Sequence, residues 1–172
     1  MLHHEISGNG KKPLVLLHGF MENTTIWNEM EAHLSKDFTL IKIDLPGHGK
    51  SKVYQEIHTV ELMAEKVKEV IDALKLEKIN LLGHSLGGYV SLAFAEKFPE
   101  ILESMTLFFS TTVADDEEKK AIRKRSIAVI DENFETFVKT SIPNLFSNNE
   151  KDILEGKIEL AKNIAKSTNK EG

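Results

Sequence analysis

The sequence predicts an α/β fold, a mostly parallel doubly wound sheet with helices on both faces, and three observations predict it. Short apolar runs alternate with helical stretches over the first 110 residues. A run such as Leu14-Val15-Leu16-Leu17 is continuously apolar, as a strand covered on both faces is. A later run, Lys78-Ile79-Asn80-Leu81-Leu82, leads through Gly83-His84-Ser85-Leu86-Gly87 straight into a helical stretch. In that G-x-S-x-G pattern a serine sits on a sharp strand-to-helix turn. The flanking glycines remove side chains that would clash there.

The elements follow in order. Leu2 to Ser7 reads as a first strand, closed by the turn Gly8-Asn9-Gly10. Leu14 to Leu17 is the second strand, followed by the loop His18-Gly19-Phe20-Met21-Glu22. Asn23 is a capping residue for a helix expected from Thr24 to Leu34, with Ile26, Trp27, Met30 and Leu34 inward. Phe38 to Ile43 is the third strand. It runs into Asp44-Leu45-Pro46-Gly47-His48-Gly49-Lys50-Ser51, whose Pro and Gly mark a loop. From Thr59 to Leu76, Val60, Met63, Ala64, Val67, Val70, Ile71 and Leu74 recur three or four residues apart, forming one apolar helix face. The serine strand comes next, then a helix from Leu86 to Lys97 and a last strand from Leu102 to Ser110.

After Ser110 the texture changes. Asp115-Asp116-Glu117-Glu118-Lys119-Lys120 marks a helix start, with acids where the dipole favours them. Two or three amphipathic helices are expected beyond it. One carries Ile122, Ile127 and Ile130, and a second carries Phe134, Phe137 and Val138. A last one is expected from Asn149, carrying Ile153, Leu154, Ile158, Ala161 and Ile164. The expected division is a sheet domain over residues 1–110 and a helical cap over 111–172. Phe134, Phe137, Val138, Leu145 and Phe146 read as the cap's own core in preference to an acyl-binding face.

Composition narrows the chemistry. The 172 residues are 41% apolar, enough for a real core. A net charge of −5 and no basic stripe leave no footprint for nucleic acid. With no cysteine, disulfides, thiolate chemistry and cysteine-based zinc sites are excluded. No H-x-x-x-H pair stands near a carboxylate, so neither a metal nor a cofactor is expected. The N-terminus lacks the pattern of a secretory signal, and no apolar segment is long enough to cross a bilayer. The expectation is a cytoplasmic protein without a membrane partner.

Three stretches resemble the α/β-hydrolase superfamily, closest in flavour to small bacterial esterases, peroxidase-like hydrolases and C–C bond hydrolases. They are the serine turn over residues 83–87, the loop His18-Gly19-Phe20, and the D-x-P-G-x-G-x-S run over residues 44–51. The tail is similar to the helical cap that many members insert after the strand following the nucleophile helix. The resemblance implies Ser85 as nucleophile and the N–H groups of Phe20 and Leu86 as oxyanion hole. It places Gly83, Gly87, His18, Gly19 and His84 as residues that line or support the site. The implied activity is cleavage of an ester, thioester, amide or activated C–C bond in a small acyl substrate.

The resemblance also has a gap. The triad order of this fold is Ser, then Asp or Glu, then His. All seven histidines, at positions 3, 4, 18, 33, 48, 58 and 84, precede Ser85. His84 adjoins the serine, where neighbouring side chains diverge, and His18 is expected to brace the oxyanion loop. Asp115 and Asp116 read as a solvated helix start, and Asp44 as a holder of its own loop. The chain is therefore expected to be the N-terminal part of such a hydrolase, inactive or very weak by itself. The alternative is a catalytically silent hydrolase-fold protein acting as a binding module. An open sheet edge is expected to promote self-association.

Overall fold

The computed structural model describes residues 1–171, which form two compact units: residues 1–112 with Glu171, and residues 113–170. The first unit contains a five-stranded sheet. Its strands are β1 (His4–Ser7), β2 (Lys12–Leu17), β3 (Phe38–Ile43), β4 (Ile79–His84) and β5 (Leu102–Phe108), in the spatial order β1-β3-β2-β4-β5. β1 runs antiparallel to β3, and every other pairing is parallel.

The helices of this unit are α1 (Asn28–Leu34), α2 (Val60–Ala73) and α3 (Leu86–Lys97). Period-two alternation in β2 sends Val15 and Leu17 to one face and Leu14 and Leu16 to the other. On the first face they join Met63, Val67, Val70 and Ile71 of α2 and Val90, Ala93 and Phe94 of α3. On the second they meet Leu40 and the buried Trp27, with Met30 and Leu34 of α1 packed alongside. Helices therefore cover both faces, as the sequence predicts. β5 pairs only with β4 among the described residues, and its middle, from Glu103 to Thr106, is exposed.

The chain passes from β2 outward to β3, then crosses back over β2 to form β4. In open α/β sheets, the carboxyl ends of strands at such a reversal border the ligand crevice. Leu17 pairs in register with Gly83. The loop after β2 and the turn after β4 consequently start side by side.

Some element boundaries differ from expectation. The first strand begins at His4 because Leu2 is instead buried in the core. The helix expected from Thr24 opens as a 3₁₀ turn, Thr24–Trp27, capped by the Asn23 side chain, before α1 takes over. In the second unit, α4 (Glu117–Ser141) is one run broken at Asn133, whose φ of −156° is extended. The Asn133 carboxamide oxygen accepts the Thr136 N–H at 2.9 Å and so starts the second half as an N-cap. The last helix, α5 (Glu155–Lys166), starts six residues later than the expected Asn149. Ser147, Asn148 and Asn149 are weak helix formers, and the chain turns there instead. Val138, Ile142, Ile158 and Ala165 are buried within this unit, whereas Leu145 is 76% exposed and lies outside its core.

Candidate active site

β4 delivers Ser85 to the first position before α3. The backbone there is left-handed, with φ 49° and ψ −111°. A non-glycine residue in so sparse a region costs on the order of 1–3 kcal/mol and persists only where its surroundings enforce it. Here the surroundings are specific. The Ser85 N–H donates to the Phe108 carbonyl at 3.1 Å. The Ser85 carbonyl accepts from the Ser110 hydroxyl at 2.9 Å and from the Gly88 N–H at 3.0 Å. Phe109, between the two anchoring residues, is itself left-handed at φ 47°.

The glycines of the turn are there for space. A Cβ on Gly83 would collide with the Gly87 carbonyl and the Ser91 hydroxyl. One on Gly87 would strike the Leu17 carbonyl, and one on Gly88 the Ser110 side chain. Ser91 fills the room left beneath the turn and donates to the Gly87 carbonyl at 2.7 Å.

Beside this turn lies the loop after β2. His18 is fully buried, and its Nε2 accepts the Leu45 N–H at 2.9 Å. The proton must then sit on Nδ1, which donates to the Gly19 carbonyl at 2.8 Å. Burial, reinforced by the neighbouring His48, pushes the His18 pKa down to about 3, so the ring is neutral. The Glu22 N–H also donates to the Gly19 carbonyl, at 3.3 Å. In a trans peptide the carbonyl and the following N–H point in opposite directions. Anchoring the Gly19 carbonyl on His18 therefore turns the Phe20 N–H away from it. Among the described residues neither the Phe20 nor the Leu86 N–H has an acceptor within the chain.

The loop after β3 braces the loop after β2. The two Asp44 carboxylate oxygens accept the N–H groups of Thr24 at 2.8 Å and Lys50 at 2.9 Å. Gly49, at φ 53°, lies so close to this carboxylate that a Cβ would overlap it. The Asp44 carbonyl takes the Ser51 hydroxyl at 2.7 Å. Asp44 thus holds its own loop with one carboxylate oxygen and ties it to the Thr24 N–H with the other. The His48 ring stacks at a tilt on His18, 5.3 Å between centroids, and meets the Phe20 ring edge-on at 6.0 Å. Its Nδ1 donates to the Pro46 carbonyl at 2.9 Å, and burial lowers its pKa.

His84 turns away from the helix toward the loop after β2. Its Nδ1 lies 2.9 Å from Glu22 Oε2, and its ring packs against Phe108 and Phe109 at 5.8 and 6.3 Å. The same Glu22 oxygen accepts the Gly19 N–H at 2.6 Å. Sequence reasoning missed Glu22 and Ser110. The one available signal for Glu22 was its spacing of three residues from Gly19, which suits a side chain returning to its own backbone. The two acids after β5 are occupied elsewhere: Asp116 caps α4 through the Lys119 N–H at 2.8 Å, and Asp115 pairs with Arg123. The other histidines stand apart from the serine turn; His58, for example, accepts the Tyr54 N–H at 3.0 Å.

The fold that carries this geometry has counterparts among known proteins. Residues 12–150 match the family model of the alpha/beta hydrolase fold, and the chain belongs to that family. An esterase from Thermogutta terrifontis superposes with a TM-score of 0.90 at 32% identity, covering 99% of this chain and 63% of the esterase. An enol-lactonase from Burkholderia xenovorans reaches the same TM-score at 24% identity, which speaks for the fold alone. By sequence, the chain is 35% identical over 111 residues to the Escherichia coli 2-hydroxy-6-oxononadienedioate/2-hydroxy-6-oxononatrienedioate hydrolase, covering 62% of this chain and 38% of that enzyme. An uncharacterised protein of Mycobacterium tuberculosis matches at 35% over 111 residues, 32% of its length. The chain thus spans about a third of these curated relatives and under two thirds of the solved esterase. Its relatives include hydrolases and an esterase, and its incomplete sheet is a partial α/β-hydrolase fold.

Proposed function

We propose that this chain carries the nucleophile and oxyanion hole of a serine hydrolase acting on a small ester, thioester, amide or activated C–C substrate. Ser85 attacks the carbonyl, and the N–H groups of Phe20 and Leu86 receive the oxyanion. Each such donor is worth about 3–4 kcal/mol in comparable sites. The carrying observation is the left-handed backbone of Ser85 at the end of β4, beside two N–H groups free of protein acceptors. Gly83 and Gly87 give the turn its room, and His18, Gly19 and His84 support the loop opposite. A serine hydroxyl needs a base, and we assign that role to a histidine outside residues 1–172, because all seven histidines here precede Ser85. The helical unit serves as the cap, and the protein works in the cytoplasm without a cofactor.

The expected result is slow, stoichiometric labelling of Ser85 by a fluorophosphonate, located by peptide mass spectrometry and absent in Ser85→Ala. Turnover of p-nitrophenyl butyrate by the chain alone should not exceed the ~10³–10⁴-fold over water left when a triad member is missing. Label on another residue, or equal labelling of Ser85→Ala, would overturn the assignment. Robust turnover abolished by Ser85→Ala would place the base within these residues.

The upstream position of every histidine also favours a second reading, a silent binding module. It predicts saturable binding of a non-hydrolysable acyl analogue with no labelling. The open edge of β5 adds an expectation of self-association. Sedimentation velocity should show concentration-dependent dimers or larger species, and a clean monomer at tens of micromolar would refute it.

A further inference from the structure

We propose that Glu22 is a positioning residue, tying the oxyanion loop to the serine turn and so setting the spacing of the Phe20 and Leu86 N–H groups. The inference rests on the reading of those two groups as the oxyanion donors. One carboxylate oxygen, Oε2, accepts both the Gly19 N–H at 2.6 Å and His84 Nδ1 at 2.9 Å. The first partner is one peptide before Phe20, and the second is two residues before Leu86. The bridge thus joins the loop after β2 to the end of β4, with one donor just beyond each attachment point.

The bridge fixes more than a distance. Gly19 is pinned at its N–H by the Glu22 carboxylate and at its carbonyl by His18 Nδ1 and the Glu22 N–H. With both flanking peptide planes held, the Phe20 N–H has one direction available. The other end restrains the His84 side chain, already flanked by Phe108 and Phe109. Phe108 supplies the carbonyl that holds the Ser85 N–H, so a force on His84 is felt at the turn.

Gly19 supplies an independent observation. Its backbone is not left-handed, so a side chain is not excluded there by φ. A Cβ would instead stand 2.7 Å from Glu22 Oε2 and 3.0 Å from His84 Nδ1. The missing side chain is the space in which the bridge forms. Both Glu22 and His84 are about a quarter exposed, so deleting the bridge opens no buried cavity. A hydrogen-bonded bridge that solvent reaches contributes little to global stability, and its effect belongs to the geometry of the two loops.

The test uses the full 172-residue chain, ¹⁵N-labelled, as wild type, Glu22→Ala, Glu22→Gln and Gly19→Ala. In the wild type, the Gly19 amide proton should be shifted far downfield and exchange slowly, and His84 should carry a proton on Nδ1. Glu22→Ala should melt close to wild type, lose both signatures, and label about tenfold more slowly with a fluorophosphonate, as expected for misplaced donors. Glu22→Gln should restore most of both, since one neutral amide oxygen can accept the same two N–H groups. Gly19→Ala should reproduce the Glu22→Ala defect with the carboxylate still present. Unmoved Gly19 and His84 signals in Glu22→Ala, or Glu22→Gln as impaired as Glu22→Ala, would overturn the proposal. Labelling that is absent from the wild type or survives Ser85→Ala sinks the hydrolase reading instead. The two magnetic-resonance signatures, which need no reactivity, still decide the role of Glu22.

Discussion

Replacing Gly87 by alanine is expected to destabilise the sheet unit by about 3 kcal/mol or more, the upper range for forcing a methyl group into a filled interior. The new Cβ would meet the Leu17 and His18 carbonyls of β2 and its loop. Backbone cannot step aside as a side chain can, so the start of α3 must lift off the sheet. That movement carries Leu86 with it, and the variant should also lose fluorophosphonate labelling. Gly156 is the control. It lies in α5 with nothing within 4 Å of a built Cβ. Its replacement by alanine should stabilise the helix by up to about 1 kcal/mol, the intrinsic propensity difference. Urea unfolding of both variants reads the contrast. A Gly87→Ala midpoint equal to wild type would mean that the turn packs more loosely than described.

Acidification should weaken the fold well above the range where carboxylates titrate. His18 is neutral when folded, with a pKa of about 3, because burial penalises its charged form. An unfolded histidine titrates near pH 6.5. Above that pH neither state binds the proton, and His18 adds no pH dependence. Below it the unfolded chain takes up a proton that the folded chain refuses. Stability present above pH 6.5 is therefore lost as pH falls toward 3, at about 1.4 kcal/mol per pH unit for one group. His48, also lowered by burial, adds in the same direction. The diagnostic window is pH 6.5 to 5, and urea midpoints at pH 7, 6 and 5 would measure the slope. His18→Asn should lower stability at pH 7, since asparagine cannot hold both the Gly19 carbonyl and the Leu45 N–H. It should also flatten the slope by one proton. A flat profile over that window would show that the rings are solvated.

Much of this arrangement was legible because it rests on short-range rules. The apolar run Leu14–Leu17, the spacing of Val60, Met63, Val67 and Ile71, and the glycines around Ser85 each encode an element by itself. The antiparallel course of β1 was not legible, since a four-residue strand carries no mark of its direction. The late start of α5 was hidden by apolar residues at helical spacing, which outweighed the poor propensity of Ser147, Asn148 and Asn149. The supports of the site were hidden for a different reason. Glu22 and His84 are 62 residues apart, and Ser110 and Ser85 are 25 apart. Such pairs meet only because β2, β4 and β5 end side by side, and no local pattern announces them. Even Asp44, correctly read as holding its loop, also holds the Thr24 N–H 20 residues upstream.

Ser85 and Phe109 are two left-handed residues facing each other, at φ 49° and 47°, joined through the carbonyl of Phe108 and the hydroxyl of Ser110. Ser85 is also held by the Gly88 N–H, but the bonds to Phe108 and Ser110 couple its distortion to that of Phe109. They constitute one cooperative patch, with a local opening equilibrium of its own. Phe109 is 81% exposed, so water already reaches that patch. On warming, Ser85 should relax toward an ordinary backbone before α2 or the core strands let go. Loss of the serine turn and loss of the fold are then separate events, with separate temperatures.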